Sequence, residues 1–257
     1  MDKNLDILIQ QALDLIYQSD YMVVLTGAGI STPSGIPDFR SKNTGLWELD
    51  DPMKVASLTT FRTKPEAFYN WLRPLIEKMN SAKPNPAHYA LAELEKLGFI
   101  KAIATQNIDD LHQISGSKNV YQVHGSAGFM ECVYCHKSRI STKEIINEVL
   151  NSKKIPLCPE CRKPLKPAIT LFEENLPQAI WQEAYDHFLR ADLVLVVGSS
   201  LEVYPANQLP LLSISRDAKM IINTLSPTQF DNEADLLIPY NVVEVLPEIV
   251  NRIKNIQ

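Results

Sequence analysis

All four cysteines of the 257-residue chain fall within one window of thirty residues, as two Cys-x2-Cys pairs: Cys132, Cys135, Cys158 and Cys161. One such pair binds a metal ion through two thiolates, and two pairs complete the tetrahedral shell of a structural Zn(II) site. Two disulfides are the alternative, which the lack of a secretion signal and of any further cysteine disfavours. Because a four-thiolate shell has no open position, we expect one structural zinc ion, without His136 as a ligand.

A second group of candidate residues is the glycine-rich segment at 27–35. Gly27-Ala28-Gly29-Ile30-Ser31-Thr32 follows a short apolar run, Met22 to Leu25. A glycine turn after a buried strand is a common site for the phosphates of a dinucleotide. However, Thr32 replaces the third glycine of the usual fingerprint, and the next suitable acid, Glu48, lies in an irregular segment. An ordinary hydride-transfer dehydrogenase is therefore disfavoured, and a strand-to-helix turn without a ligand stays open.

Composition bounds the classes of partner. Lys and Arg number 25 against 30 Asp and Glu, a net charge of −5 that disfavours binding to a polyanion, so no specific nucleic acid is expected. Purely apolar runs such as Leu193 to Val197 fall far short of the roughly 18 residues that a membrane span needs. The opening MDKNLD lacks the basic and apolar regions of a signal peptide. We therefore expect a cytoplasmic protein without a membrane partner.

Alternating helix and strand patterns surround these residues. The spacing of apolar residues over 5–18 predicts an amphipathic helix, and Asn85-Pro86 predicts the start of another, which Gly98 ends. Five segments predict strands that end in polar turns: 22–25, 99–105, 120–125, 192–200 and 218–223. Together they predict an α/β fold, with a Rossmann-like parallel sheet and helices on both of its faces.

Two stretches do not follow this alternation. Residues 36–84 contain one expected helix, after the capping-box pattern Thr63-Lys64-Pro65-Glu66, and residues 126–167 contain the cysteines. We expect both stretches to form a smaller domain with a helical module and a zinc-ribbon module. The Rossmann-like domain would then comprise residues 1–35, 85–125 and 168–257.

Further motifs follow the glycine segment in a fixed order. They are Ser34-Gly35-Ile36-Pro37-Asp38-Phe39-Arg40, Thr105-Gln106-Asn107-Ile108-Asp109 with Leu111-His112, His124-Gly125, the four cysteines, Gly198-Ser199-Ser200-Leu201 with Val203 and Pro205, and Asn223. This ordered set resembles the sirtuin family of NAD-dependent protein deacylases, in particular its bacterial and archaeal deacetylases. The resemblance spans residues 22 to about 243.

The resemblance implies a reaction that consumes NAD. The carbonyl oxygen of an acetyl-lysine, in a protein or peptide, attacks C1′ of the nicotinamide ribose. Nicotinamide leaves, and an alkylamidate collapses to free lysine and acetyl-ADP-ribose. Such chemistry needs a base near neutral pKa for a ribose hydroxyl. The resemblance assigns that task to His124, and the unperturbed histidine pKa of about 6.5 suits it.

The remaining roles are also implied by the resemblance. Asn107 and Asp109 join His124 as catalytic residues that order a water, the ribose and the carboxamide. NAD contacts are implied for the catalytic three and for Ala28, Gly29, Thr32, Phe39, Arg40, Gln106, Ile108, Gly198, Ser199, Ser200, Asn223, Asn241 and Val242. Two alternatives remain: ADP-ribosyl transfer or another neutral-acyl deacylation at the same site, and a non-catalytic zinc-ribbon interaction module. The complete catalytic set argues against the module.

The chain departs from the family pattern where it binds its substrate. Phe172, Glu173, Glu202 and Val203 are expected to hold the peptide as an added strand, and Glu173 replaces a usual glycine. If Glu173, Glu174 and Glu202 line one cleft, flanking Lys or Arg would be preferred; if they point to water, they would not matter. The Tyr-x-x-Arg pair that clamps acidic acyl groups is also missing, because Tyr69 is followed by Leu72 and Arg73. Neutral acyl groups are therefore expected, acetyl first.

Overall fold

The chain alternates helices and strands as the sequence predicts. The computed structural model describes residues 2–38 and 51–256, so the expectations for Phe39, Arg40 and Glu48 lie outside the described residues. The described helices are α1 (Lys3–Gln18), α2 (Pro52–Val55), α3 (Leu58–Thr63), α4 (Pro65–Ser81), α5 (Pro86–Lys96), α6 (Leu111–Ser115), α7 (Thr142–Leu150), α8 (Gln178–Arg190), α9 (Gln208–Ile214) and α10 (Val242–Ile256). The strands are β1 (Met22–Thr26), β2 (Ile100–Thr105), β3 (Val120–Gln122), β4 (Gly125–Glu131), β5 (Arg139–Ser141), β6 (Lys166–Ile169), β7 (Leu193–Val197), β8 (Lys219–Asn223) and β9 (Leu236–Ile238).

Six parallel strands form the central sheet, in the order β3-β2-β1-β7-β8-β9. The chain moves outward from β1 through β2 to β3, and then outward in the other direction from β7 to β9. The order therefore reverses between β1 and β7, whose residues pair from Met22 with Leu193 to Thr26 with Val197. Ligands of open α/β sheets bind at such a reversal, beyond the carboxyl ends of the strands.

Both faces of the sheet are covered by helices, which confirms the predicted fold class. Alternate residues of β1 point to opposite faces: Met22 and Val24 pack with α1, α5 and α10, whereas Val23 and Leu25 pack with α8 and α9. All four side chains are essentially buried, and each contributes roughly 1.5–3 kcal/mol through its removal from water. Within the described ranges, every helix is too short or too polar to cross a bilayer.

A second, antiparallel sheet with the order β5-β4-β6 lies beside the first. One apolar cluster joins it to α4 and α7, and includes Phe68, Tyr69, Met130, Val149 and Leu165. The two stretches that interrupt the sequence pattern thus share a core. The domain boundaries themselves stay a prediction, since β4 and β6 run across those expected at residues 125 and 168.

Several local predictions are confirmed. The first helix, the strands β1, β2, β7 and β8, and the start of α5 lie where expected. The side chain of Asn85 accepts a hydrogen bond from the amide of Ala87, and Pro86 is the first helical residue. Gly98 ends α5 with a positive φ of 87°.

Two local predictions are wrong. The capping box at Thr63 does not form, because Thr63 is the last residue of α3 and its hydroxyl donates to the carbonyl of Thr59 at 2.8 Å. Helix α4 begins at Pro65, with Lys64 as its N-cap and no side-chain cap. The strand predicted over 120–125 ends at Gln122, so His124 lies in the turn between β3 and β4 instead of at a strand end.

The loops that follow β1 and β7 approach each other at glycine. Gly29 donates its amide to the carbonyl of Gly198 at 2.8 Å. A Cβ on Gly198 would lie 2.4 Å from the amide nitrogen of Ile30, and its φ is 58°. A side chain at Gly198 would therefore push apart the two loops at the reversal point.

We predict that Gly198→Ala destabilises the protein by about 3 kcal/mol, because the left-handed backbone costs about 1–2 kcal/mol and overpacking adds about 1–3 kcal/mol. Gly98→Ala is the matched control: Gly98 also has a positive φ, 87°, but a Cβ there would meet nothing within 4 Å. It should cost about 1–2 kcal/mol. Denaturant unfolding of both variants measures the difference, and equal losses would show that close loop contact does not constrain this position.

Candidate functional site

Two adjoining cavities lie at the carboxyl ends of the parallel strands. The first, of about 590 Å³, is lined by most of the residues predicted to bind the cofactor: Ala28, Gly29, Thr32, Gln106, Asn107, His124, Gly198, Ser199, Ser200, Asn241 and Val242. The second, of about 740 Å³, is lined by Ile108, Asp109, Phe172 and Glu173. Asn107, His124 and Val203 line both cavities. The structure therefore places the predicted catalytic residues Asn107 and His124 where the two cavities meet, and Asp109 on the second cavity.

Asn223 stands apart from these lining residues. Its side-chain amide donates to the carbonyls of Ile238 and Tyr240, at 2.9 and 2.8 Å, and so fixes the end of β9. The Oδ1 atom of Asn223 is buried without a hydrogen-bond partner.

The turn after β1 differs from the usual phosphate-binding turn. Two short 3₁₀ segments, Ala28–Ile30 and Thr32–Ser34, follow the strand instead of a long helix. Gly27 and Gly29 are required here by the loop after β7, since a Cβ on either would lie within 2.9 Å of the backbone at 198–199. The glycine pattern thus reflects contact between two loops as well as access for a ligand.

Asn107 is fixed by the backbone and by Ser31. Its amide nitrogen donates to Thr105 Oγ1 at 3.1 Å. Its side-chain Nδ2 donates to the carbonyl of Gly27 and to Ser31 Oγ, both at 3.1 Å. Sequence reasoning assigned no role to Ser31, although it lies inside the glycine motif.

Asp109 is held by two donors in a buried setting. Ser31 Oγ donates to its Oδ2 at 2.7 Å, and the amide of Leu111 donates to its Oδ1 at 3.0 Å. Burial raises the pKa of this carboxyl above its usual value, while those two hydrogen bonds oppose the rise. Ser31 therefore connects Asn107 with Asp109 through direct hydrogen bonds.

The ring of His124 has a defined orientation. Its Nδ1 lies 3.0 Å from the carbonyl oxygen of Gln106. A carbonyl oxygen only accepts, so Nδ1 carries the proton of the neutral ring and Nε2 carries the lone pair. The side chain of Gln106 in turn donates to Ser199 Oγ at 2.9 Å, which connects the loops after β2 and β7.

Two further histidines lie buried behind this site. His112 Nε2 lies 2.9 Å from Thr26 Oγ1, and His88 Nδ1 accepts from the amide of Asn85 at 3.3 Å. Burial lowers the pKa of His88 to about 4 and that of His112 to about 3. Both rings are therefore neutral at physiological pH and support the loops from within the core.

The three glutamates of the substrate hypothesis are divided between the two adjoining cavities. Glu202 lines the first cavity, whereas Glu173 and Glu174 line the second. The carboxylate of Glu174 accepts from Lys166 Nζ and from the amide of Leu171, both at 2.9 Å. The buried ammonium of Lys166 needs this partner, so Glu174 serves an internal ion pair.

Tyr69 and Arg73 both serve the smaller core. The hydroxyl of Tyr69, which is fully buried, donates to the carbonyl of Leu165 at 2.6 Å. Arg73 donates through Nε to the carbonyl of Val149 at 3.0 Å. Neither residue lines the two cavities at the strand ends.

The four cysteines form one compact group. Their sulfur atoms all lie within 4.8 Å of one another, with Sγ–Sγ distances of 3.5 Å for Cys132–Cys161 and Cys132–Cys135, and 3.6 Å for Cys135–Cys158. A disulfide bond would need about 2.05 Å. Tetrahedral zinc with Zn–S bonds of about 2.3 Å places its sulfurs about 3.8 Å apart. The thiols therefore fit one zinc ion.

The backbone of the two Cys-x2-Cys turns supports this fit. The residue after each pair, His136 or Arg162, adopts a left-handed φ of 57° or 61°. Its amide donates to the carbonyl of the first cysteine of the pair, at 3.1 and 2.9 Å. Among the residues that the structure describes, the metal-binding group contains these four cysteines and not His136.

We predict one zinc ion per chain, whose removal by a chelator lowers the melting temperature by about 6 °C or more, because loss of a structural metal costs at least about 3 kcal/mol in a domain of this size. Cys158→Ser should lower it similarly and abolish stoichiometric zinc. Ser138→Ala is the control, since it removes only a hydroxyl 3.1 Å from Cys158 Sγ and keeps all four thiols. Metal analysis with calorimetry checks this; a zinc-free chain of unchanged stability would contradict it.

Comparison with known proteins agrees with the resemblance noted in the sequence. Residues 27–205 match the Sir2 family. The "NAD-dependent protein deacylase 2" of Archaeoglobus fulgidus is 43% identical over 97% of each chain. The "NAD-dependent protein deacetylase" of Thermotoga maritima is 44% identical over 92% of this chain and 94% of its own.

A solved Sir2 structure with a deacetylated p53 peptide and 3'-o-acetyl ADP ribose is also similar. It has a TM-score of 0.89 and 42% identity over 95% of this chain and 98% of the other. The match in sequence covers well over half of the chain, and the match in structure covers 95% of it. The chain therefore belongs to the Sir2 family.

Proposed function

We propose that the chain is an NAD-dependent protein-lysine deacetylase, which consumes NAD and one water molecule and releases nicotinamide, acetyl-ADP-ribose and the deacetylated lysine. The observation that carries this proposal is the position of His124, which lines both cavities with the lone pair on Nε2. Two relatives that are more than 40% identical are named as an NAD-dependent protein deacylase and an NAD-dependent protein deacetylase, which supports this activity. The related structure with an acetyl ADP ribose and a peptide supports the same reaction.

The first cavity fits NAD. When bound, NAD supplies an electrophilic ribose carbon and nicotinamide as its leaving group. Ala28, Gly29 and Thr32 would hold the pyrophosphate and its ribose, and the adenosine half would lie against Gly198, Ser199, Ser200, Asn223, Asn241 and Val242. Roles for Gln106, Ile108, Phe39 and Arg40 around the nicotinamide ribose are part of the same proposal.

His124 would act as the general base. Its Nε2 accepts a proton from a ribose hydroxyl, and the imidazolium that results keeps its Nδ1–H directed at the carbonyl of Gln106. That carbonyl dipole stabilises the positive charge and holds the ring in one orientation. The base is therefore oriented before the substrate binds.

Asn107 and Asp109 would orient the reacting groups. Their side chains share Ser31 as a hydrogen-bond partner, so rotation of either one breaks its bond to Ser31. Asp109 is kept in a buried position that disfavours its charge. Such a carboxylate interacts more strongly with a bound polar group than a solvated one does.

The second cavity would receive the acyl-lysine and its peptide. Phe172, Glu173 and Val203 line it, with Glu202 beside it, and an extended peptide would bind between their segments as an added strand. Its inner part is apolar, with Trp71, Leu75, Met79 and Ile108. Since Tyr69 and Arg73 are engaged elsewhere, a neutral acyl group is favoured, acetyl first.

Two broader expectations belong to the same proposal. The chain would consist of a Rossmann-like NAD-binding domain and a smaller domain made of residues 36–84 and 126–167. The shared apolar cluster of α4, α7 and the second sheet supports that division. A cytoplasmic location is proposed on the composition of the sequence.

We predict that His124→Ala lowers nicotinamide release from NAD and an acetyl-peptide by at least about 100-fold, because it removes the general base. His187→Gln is the matched control: its ring lies between the hydroxyls of Tyr21 and Tyr121, and it lines neither cavity. That variant should stay within about twofold of the wild type. Mass spectrometry of the products separates acetyl-ADP-ribose from ADP-ribosylated protein, and full turnover by His124→Ala would refute the assignment.

We predict that Asp109→Asn stabilises the fold at pH 7 while it lowers activity at least about tenfold. Because burial raises the folded-state pKa of Asp109, its ionised form costs folding free energy above that pKa. The neutral amide removes this cost, so the melting temperature at pH 7 should rise. The gain should shrink as the pH falls below the raised folded-state pKa and should vanish below the usual carboxyl pKa, where Asp109 is protonated in both states.

Asp192→Asn provides the control of opposite sign. Burial acts to raise the pKa of Asp192, but hydrogen bonds from Ser19, Asp20 and Tyr21 outweigh it and lower that pKa below the usual value. Its carboxylate therefore stabilises the fold above pH 4, and the amide should lower the melting temperature. Melting curves of both variants from pH 4 to 8 test the pair. A destabilised Asp109→Asn at pH 7 would contradict the expected cost of its charge.

A further inference from the structure

Glu173 adopts a backbone conformation that L-residues rarely use. Its φ is 75°, within a turn closed by the amide of Glu174 and the carbonyl of Leu171 at 3.1 Å. A left-handed residue costs roughly 1–2 kcal/mol relative to glycine, and such strain persists where the surroundings compensate for it. The side chain at this position must therefore make a contact that glycine could not make.

The contact is with the first turn of helix α3. The carboxylate of Glu173 accepts from the amide of Thr59 at 2.8 Å. The preceding amide, of Leu58, donates to the carbonyl of Phe172 at 3.1 Å, and the following one, of Thr60, donates to Ser57 Oγ at 3.1 Å. Two of the three amides in this turn are thus satisfied by residues 172 and 173.

One more hydrogen bond contributes to the junction between residues 172–173 and the start of α3. The amide of Phe172 donates to the carbonyl of Ala56 at 3.1 Å, so that Phe172 pairs with Ser57 in a short parallel bridge. The hydrogen bond between the Glu173 carboxylate and the Thr59 amide is the bond of this junction that a side chain of residues 172–173 makes. A carboxylate next to the N-terminal amides of a helix is electrostatically favourable. Its charge is therefore directed at the protein and not at the cleft.

Both Phe172 and Glu173 line the cavity assigned to the peptide. A peptide that binds as an added strand loses affinity if the segment it pairs with must first be ordered. We propose that Glu173 is a positioning residue, which fastens the peptide-docking segment to helix α3 and thereby sets the KM for the peptide. This inference rests on the proposed function. Since the carboxylate is engaged with Thr59, Glu173 does not select for basic residues that flank the acyl-lysine.

Three substitutions separate the hydrogen bond from the backbone strain. Glu173→Gln keeps an oxygen that accepts from Thr59, Glu173→Ala removes it and keeps the strain, and Glu173→Gly removes both. Each is assayed with two acetyl-peptides that differ only in basic or acidic flanking residues. We expect Glu173→Ala and Glu173→Gly to raise the peptide KM roughly five- to tenfold, the effect of about 1–1.4 kcal/mol. The rise should be equal for both peptides, with kcat and the KM for NAD within twofold of the wild type.

Glu173→Gln should recover most of the loss, within about twofold of the wild-type peptide KM. Hydrogen exchange at the Thr59 amide, which needs no activity, should be faster in Glu173→Ala and Glu173→Gly and near wild type in Glu173→Gln. An unchanged peptide KM in Glu173→Gly would overturn the inference. So would a loss confined to the basic peptide, because Glu173 would then contact the substrate directly.

A wild-type protein that fails to release nicotinamide would refute the proposed function instead. Peptide affinity measured by calorimetry, with the same four proteins, then tests the role of Glu173 without turnover. Equal peptide affinities together with equal hydrogen exchange at the Thr59 amide would refute the positioning role of Glu173. Weaker peptide binding by Glu173→Gly would support that role. The two failures are therefore distinguishable.

Discussion

The close approach of two backbone loops is the constraint on which the site depends. The turns after β1 and β7 pack against each other with no room for a Cβ at Gly27, Gly29 or Gly198. This contact sets the floor of the first cavity, because the same turns carry Ala28 and Ser199. The glycines are therefore required by the contact between the two turns, and these turns in turn line the cavity.

Polar groups at this floor are held in place at a cost to stability. Asp109 is buried where its charge is disfavoured, and Ser31 ties it to Asn107. His88 and His112 stay neutral behind them, each with one buried ring nitrogen that has no partner. A protein selected for stability alone would replace several of these groups with apolar ones. The concentration of such groups at one end of the sheet favours a catalytic site over a simple binding module.

Sequence reasoning succeeded where the signal was local. Asn85-Pro86 carries its own cap, and two Cys-x2-Cys pairs carry their own ligand geometry, so both were predictable. Thr63 had an equally plausible local pattern, but the preceding helix already used it. The second sheet was missed because β4 and β6 are separated by more than thirty residues of chain. The partner of Glu173 was beyond reach for the same reason: Thr59 lies 114 residues away.

Each described glycine lies where a side chain would be unfavourable, either because of the backbone φ or because a Cβ would contact a neighbouring atom. Gly35, Gly98 and Gly116 have open space around them, but their φ values of 88°, 87° and 107° exceed the range that L-residues tolerate. The other described glycines have either a smaller positive φ or a φ that L-residues commonly adopt. A Cβ at any of them would come within 3.0 Å of another atom. Seven described residues other than glycine also have a positive φ, between 52° and 75°: Asp110, His136, Lys153, Arg162, Glu173, Leu201 and Asp217. Glu173 has the largest φ of that group, 75°, and glycine in its place would forfeit the hydrogen bond to Thr59.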